Sequence, residues 1–142
     1  MNEVKMEPLV IPSHLDSLDQ IKNYVLAAAA DANLEKKATY NLRLAIDEIA
    51  TNIIKHGYPK ANQEGEIQIT AKIDEKTLTI YLEDTAIPFD PISRPSPCNL
   101  NDDLNDRPIG GLGIYLAKES VDQFLYERVD DRNRNIFIVN RP

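Results

Sequence analysis

An acid and an amide stand one helical turn apart in the stretch Ala45-Ile46-Asp47-Glu48-Ile49-Ala50-Thr51-Asn52-Ile53. Counted at about 100° per residue, Glu48 and Asn52 share one flank of a helix with Asn41, roughly 120° round from an apolar stripe of Leu42, Ile46, Ile49 and Ile53. Taken alone, such a pair is ordinary for a solvated helix flank. Beside a phosphate ligand it acquires chemistry. An amide oxygen is a hard donor suited to Mg²⁺, which takes one or two protein oxygens and completes its octahedron with phosphates and water. A carboxylate one turn away is placed to act as general base on a nucleophile beside that ion.

Two more segments offer matching chemistry. Gly110-Gly111-Leu112-Gly113 leads directly into an apolar helical pattern. Glycines at a helix start let the backbone approach an anion, and the free N–H groups with the helix dipole favour phosphate. By itself a GGxG run is equally well a flexible hinge. It is neither a Walker loop, since no Lys-Ser/Thr follows, nor a dinucleotide fingerprint after a strand. Asp84 closes an apolar strand and is followed by Thr85-Ala86-Ile87-Pro88-Phe89-Asp90-Pro91. A carboxylate there can accept a hydrogen bond from an exocyclic amine such as that of adenine; in isolation it reads as a turn-initiating Asp.

The elements that must position these residues follow from periodicity. Val4 to Pro12 reads as a short strand, and Leu18, Ile21, Val25, Leu26 and Ala28 to Ala30 give a helix at about 16–32. A second helix spans about 35–56, where Gly57 suits a left-handed C-cap and Pro59 blocks continuation. From Gly65 the period becomes two. Ile67, Ile69, Ala71 and Ile73, then Leu78, Ile80 and Leu82, form a hairpin about Asp74-Glu75-Lys76. Residues 84–109 lose all periodicity and carry five prolines (Pro88, Pro91, Pro95, Pro97 and Pro108), the mark of a long functional or disordered loop. A short helix follows from Gly111. Phe124-Leu125-Tyr126 and Ile136-Phe137-Ile138-Val139 make a closing hairpin around Asp130-Asp131-Arg132-Asn133. The order predicts an α+β fold, a two-layer α/β sandwich with helices on one face of a mixed, largely antiparallel sheet.

Composition narrows the class. The 142 residues, 42% hydrophobic and 27% charged, suit one globular domain. Sixteen Lys and Arg against 23 Asp and Glu leave a net charge of −7, which argues against direct nucleic-acid or anionic-membrane binding. A single cysteine, Cys98, excludes an internal disulfide and a multi-Cys zinc cage, and two histidines argue against a His-based metal site. No apolar run approaches the roughly 18 residues of a membrane span and no signal-peptide core opens the chain, so a cytoplasmic protein is expected.

In this order, an acid–amide helix, a strand-end Asp and a glycine-led helix resemble the ATP site of the gyrase and histidine-kinase ATPase superfamily. Within it the chain resembles the small bacterial anti-sigma factor serine/threonine kinases over roughly residues 8–141. The resemblance rests on Ala45 to Tyr58, on Asp84 with Pro88-Phe89-Asp90-Pro91, and on Arg107-Pro108-Ile109-Gly110-Gly111-Leu112-Gly113-Ile114. It implies a Bergerat-type ATP-binding fold, a single domain over 1–142 and an ATP lid at about 91–109. It further implies that Asn52 ligates Mg²⁺, Glu48 activates the attacking hydroxyl and Asp84 reads the adenine amine. Gly111, Leu112 and Gly113 would hug the phosphates, with Lys55 facing them and Arg107 as the lid arginine. Ala86 departs from the pattern, which usually has Gly two residues after the Asp. If φ is positive there, the methyl group costs about 1–2 kcal/mol.

The resemblance therefore implies an ATP- and Mg²⁺-dependent serine/threonine kinase acting on an anti-sigma-factor antagonist of STAS-like type, with a sigma factor as second ligand and a homodimer as assembly. The alternative is a non-catalytic ATP-binding module that switches partners alongside a phosphatase, with Ala86 marking a relaxed site. A histidine-kinase catalytic domain is disfavoured, because the chain has no room for phospho-acceptor helices. His56 reads as a helix-end cation, Cys98 as an incidental thiol, and Asp102, Asp103 and Asp106 as a solvating run.

Overall fold

The computed structural model describes residues 3–57, 65–86, 88 and 117–142. Its strands are β1 (Val4–Lys5), β2 (Leu9–Pro12), β3 (Glu66–Ile73), β4 (Thr77–Asp84), β5 (Gln123–Val129) and β6 (Arg132–Asn140). A 3₁₀ turn at Leu15–Ser17 leads into helix α1 (Leu18–Asp31), and α2 (Lys36–Asn52) continues as a π turn over Ile53–Gly57. Residues 117–120 are helical, the described part of the helix expected after Gly111. The strand order is β1-β3-β4-β6-β5, with β2 also on β3, and every described ladder is antiparallel.

Alternation along the strands sorts the sheet into two faces. Ile67, Ile69, Ala71 and Ile73 of β3, Leu78, Ile80 and Leu82 of β4, and Phe137 and Val139 of β6 are buried. They share one hydrophobic cluster with Ile21, Val25 and Ala28 of α1 and with Leu42, Ala45, Ile46, Ile49 and Ala50 of α2. Both helices thus cover one sheet face, the expected two-layer sandwich. Phe137 also stacks on Phe124 with ring centroids 4.8 Å apart, a contact worth about 0.5–1.5 kcal/mol beyond burial. The opposite face is polar. There Arg134 donates to Glu83 (3.0 Å) and Glu127 (2.7 Å) and lies over the Tyr81 ring.

Local chemistry accounts for the turns. Asp74 Oδ1 accepts the N–H groups of Lys76 (2.8 Å) and Thr77 (2.7 Å), closing the β3–β4 hairpin where its sequence predicts. Helix α1 ends in a Schellman motif: Leu34 N–H donates to the Ala29 carbonyl and Asn33 N–H to that of Ala30, both at 3.0 Å. Asn33 there has φ of 57°, a value Asn tolerates better than most residues.

Three expectations need correction. The strand read over Val4 to Pro12 is broken at Met6–Pro8 by a bulge: Val4 faces Ile73 but Leu9 faces Ile69, five steps along one side against four on the other. The hydroxyl of Tyr24 enters the gap, accepting the Ala71 N–H at 3.1 Å and donating to the Glu7 carbonyl at 2.9 Å. The second helical run reaches Gly57, close to its expected end, but only Lys36–Asn52 is α-helix and Ile53–Gly57 is wound as a π turn. The closing hairpin turns on Asp130 and Asp131 alone, with Asp130 at φ 56°, so Arg132 and Asn133 belong to β6.

Candidate active site

Helix α2 carries Glu48 and Asn52 where the period places them. Leu42, Ala45, Ile46, Ile49 and Ala50 turn inward, while Glu48 and Asn52 are half-buried on the flank and Lys55 is exposed. Among the described residues neither the Glu48 nor the Asn52 side chain is engaged in a hydrogen bond or ion pair. Asn52 is the last residue of regular α-helix before the π turn, a device that recurs at functional sites. No group of three or more His, Cys, Asp or Glu side chains clusters among the described residues. A single unengaged amide oxygen is the sparse donor set that fits Mg²⁺ bound chiefly through phosphate, and does not fit a protein-caged metal.

Asp84 sits at the end of β4, 2% exposed. Its Oδ1 accepts the Ala86 N–H at 3.0 Å and the Asn133 Nδ2–H at 2.9 Å. Its Oδ2 is buried and has no hydrogen-bond partner among the described residues. Burial pushes the carboxyl pKa above its ordinary value, and the Asn133 and Ala86 hydrogen bonds and the Arg128 charge pull back against that rise. A buried acceptor left open in this way is able to take a further donor.

Ala86 is 3% exposed and packs into the cluster that holds Ile49, Ile53, Ile54 and Ala117. Its φ is not positive, so the strain considered for a methyl group at this position does not arise. Its carbonyl accepts from Arg128 at 3.1 Å. The end of α2, the segment after β4 and the helix containing Ala117 therefore contribute to a common cluster, and no contact between Asp84 and the Glu48–Asn52 flank is described. Arg107, Gly111, Leu112 and Gly113, the lid at 91–109, Cys98 and the Asp102 run lie outside the described residues, as does the His56 side chain. A cavity of about 380 Å³ beside Asp84 is lined by Val10, Gln68, Glu83 and Arg132, and Glu48 and Asn52 are not part of it.

Sequence reasoning missed the partners of Asp84. Asn133 and Arg128 come from the closing hairpin, 49 and 42 residues beyond the Asp84 and Ala86 atoms they bind, and Tyr126 of the same hairpin binds Asn133 in turn. One signal for them exists: Asn133 and Asn135 are in phase with Phe137 and Val139, so two amides occupy core-facing positions of β6. Both are 3% exposed.

The histidine kinase-like ATPase domain family matches residues 11–139. The serine-protein kinase RsbW of Listeria monocytogenes is 31% identical over 97 residues, covering 66% of this chain and 61% of that protein. RsbW of Bacillus cereus is 34% identical over 85 residues, covering 58% and 52% respectively. The chain thus spans less than two thirds of the relatives it matches. A crystal structure of the RsbU and RsbW domains of a Mycobacterium tuberculosis protein superposes with a TM-score of 0.63 at 14% identity, over 96% of this chain and 34% of that one. The shared fold accounts for the sandwich, and the family match spans every segment from β2 to β6: the chain belongs to the histidine kinase-like ATPase domain family.

Proposed function

We propose that the protein binds ATP and works as an anti-sigma-factor serine/threonine kinase, transferring the γ-phosphoryl group to a hydroxyl of an antagonist protein of STAS-like type. The observation that carries this reading is Asp84, a buried carboxylate with one oxygen saturated by the protein and the other open. An acceptor of that kind suits the exocyclic amine of adenine and repels a carbonyl in its place. The similarity to serine-protein kinases named RsbW supports the reaction class.

In this reading Glu48 takes the proton from the attacking hydroxyl. A bond forms from that oxygen to the γ-phosphorus as the bond to the bridging oxygen breaks, and ADP leaves. Asn52 would hold Mg²⁺, which neutralises triphosphate charge that an acidic chain of net charge −7 cannot offset alone. Lys55 and the backbone of Gly111, Leu112 and Gly113 would meet the phosphates, with residues 91–109 as lid and Arg107 reaching in from it. The protein would act in the cytoplasm; among the described residues no helix is long and apolar enough to cross a membrane. A sigma factor as second ligand and a homodimer as assembly belong to the same proposal.

The test is incubation with γ-labelled ATP, Mg²⁺ and a candidate antagonist. Label on a serine or threonine of the antagonist is the expected result. ATP binding without transfer to any antagonist would overturn the kinase and leave a non-catalytic switching module.

A further inference from the structure

We propose that Tyr126 and Asn133 are positioning residues that fix Asp84 as a one-sided hydrogen-bond acceptor and so set the base preference of the pocket, an inference that rests on the ATP-binding reading above. Asn133 lies opposite Asp84 in the β4–β6 register, and Tyr126 reaches Asn133 from the neighbouring strand β5. The Tyr126 hydroxyl donates to Asn133 Oδ1 at 2.5 Å, and Asn133 Nδ2–H donates to Asp84 Oδ1 at 2.9 Å.

The direction of this relay matters. A side-chain amide can sit in two orientations that differ by exchange of O and NH₂, and its neighbours decide between them. The Ala86 carbonyl, which can only accept, also takes an Asn133 Nδ2–H at 3.4 Å, and with the Tyr126 hydroxyl donating to Oδ1 the amide presents its NH₂ to Asp84. In the flipped orientation Oδ1 would face the carboxylate, acceptor against acceptor, a contact tolerated only if Asp84 held a proton. A protonated Asp84 could offer that proton to a carbonyl and would lose its discrimination against guanine. Arg128 supports the arrangement from the far side: its donation to the Ala86 carbonyl at 3.1 Å holds the segment whose N–H also saturates Asp84 Oδ1. Three protein groups therefore occupy or orient one oxygen and leave Oδ2 for the ligand.

The experiment uses the full chain and compares wild type, Tyr126→Phe, Asn133→Ala and the double variant for binding of MgATP and MgGTP by calorimetry. Tyr126→Phe removes a single oxygen, and thermal unfolding verifies that it folds. The expected result is an ATP affinity lowered about 5- to 10-fold, an ATP-over-GTP preference lowered alongside it, and a double variant no weaker than Asn133→Ala alone. A readout without nucleotide accompanies it: exchange of the Asn133 side-chain amide protons with solvent, followed by NMR, becomes at least about fivefold faster in Tyr126→Phe. Equal weakening of both nucleotides, additive effects in the double variant, or unchanged amide exchange would overturn the relay while leaving the nucleotide site intact. If wild type binds neither nucleotide, the ATP reading fails and the relay falls with it, whereas the amide exchange still reports whether the hydrogen bonds exist.

Discussion

Asp84 and Asn133 face each other across the β4–β6 ladder, joined by a 2.9 Å hydrogen bond in which the amide donates to a buried carboxylate. The protein thus keeps a buried acidic group with one oxygen open among the described residues, an arrangement that costs stability and that the proposed adenine contact would use.

That trade is measurable in Asp84→Asn. The folded pKa lies above an unfolded value near 3.8 because burial penalises the charge. The ionised group therefore opposes folding above the folded pKa, and the penalty fades as pH falls through that value toward the unfolded one. Asp84→Asn is expected to unfold at a higher temperature than wild type at neutral pH, with the gap closing on acidification. ATP affinity should fall at least about 50-fold. Thermal unfolding at a series of pH values and calorimetry with MgATP check the two halves.

Glu48→Gln separates binding from chemistry. The side chain is half-buried on the α2 flank with no described partner, so the amide should leave the fold undisturbed. Phosphoryl transfer is expected to drop about 10²- to 10⁴-fold while the ATP dissociation constant stays within roughly threefold. Single-turnover transfer and equilibrium binding are the paired measurements.

Tyr24→Phe tests the bulge between β1 and β2. It strands the Ala71 N–H, which the hydroxyl accepts at 3.1 Å, and removes the donor to the Glu7 carbonyl. A loss of about 1–2 kcal/mol is expected in urea unfolding, with faster hydrogen exchange at the Ala71 amide.

Asp74→Ala opens the β3–β4 turn. The folded carboxylate has a lowered pKa, chiefly from the Thr77 N–H and then that of Lys76. Its contribution is present above the unfolded value and lost as pH falls through the folded one. The variant should be less stable than wild type at pH 7 and converge with it in acid, as read from unfolding midpoints.

How much of this was legible beforehand depends on the range over which each feature is decided. The stripe Leu42, Ile46, Ile49 and Ile53 and the alternation through Ile67–Ile73 are set by local period, so helix, hairpin and the Glu48–Asn52 flank could be read directly. The bulge at Met6–Pro8 is bridged by a tyrosine on α1, a contact across 47 residues, and the winding change after Asn52 leaves no trace in the apolar spacing. Asn133 sits in a polar run, Arg132-Asn133-Arg134-Asn135, that looks like a turn until Asp130 and Asp131 are seen to close the hairpin by themselves. The carboxylate was identifiable as a strand-end acid; its amide partner, and the phenol that binds that amide, were not, because they come from the hairpin strands β6 and β5 far along the chain.

The widened winding at Ile53–Gly57 also has an implication for how this chain tolerates length changes. A π turn holds about one residue more than an α turn, so by the end of Ile53–Gly57 the winding lags the α-helical phase by roughly 100°. Excising one of those five positions would let regular α-helix run on uninterrupted through the end of this segment. Such a shortened chain is expected to be sturdier in heat and, on the proposed reading, poorly matched to a triphosphate, because the slack it loses lies beside the Asn52 amide.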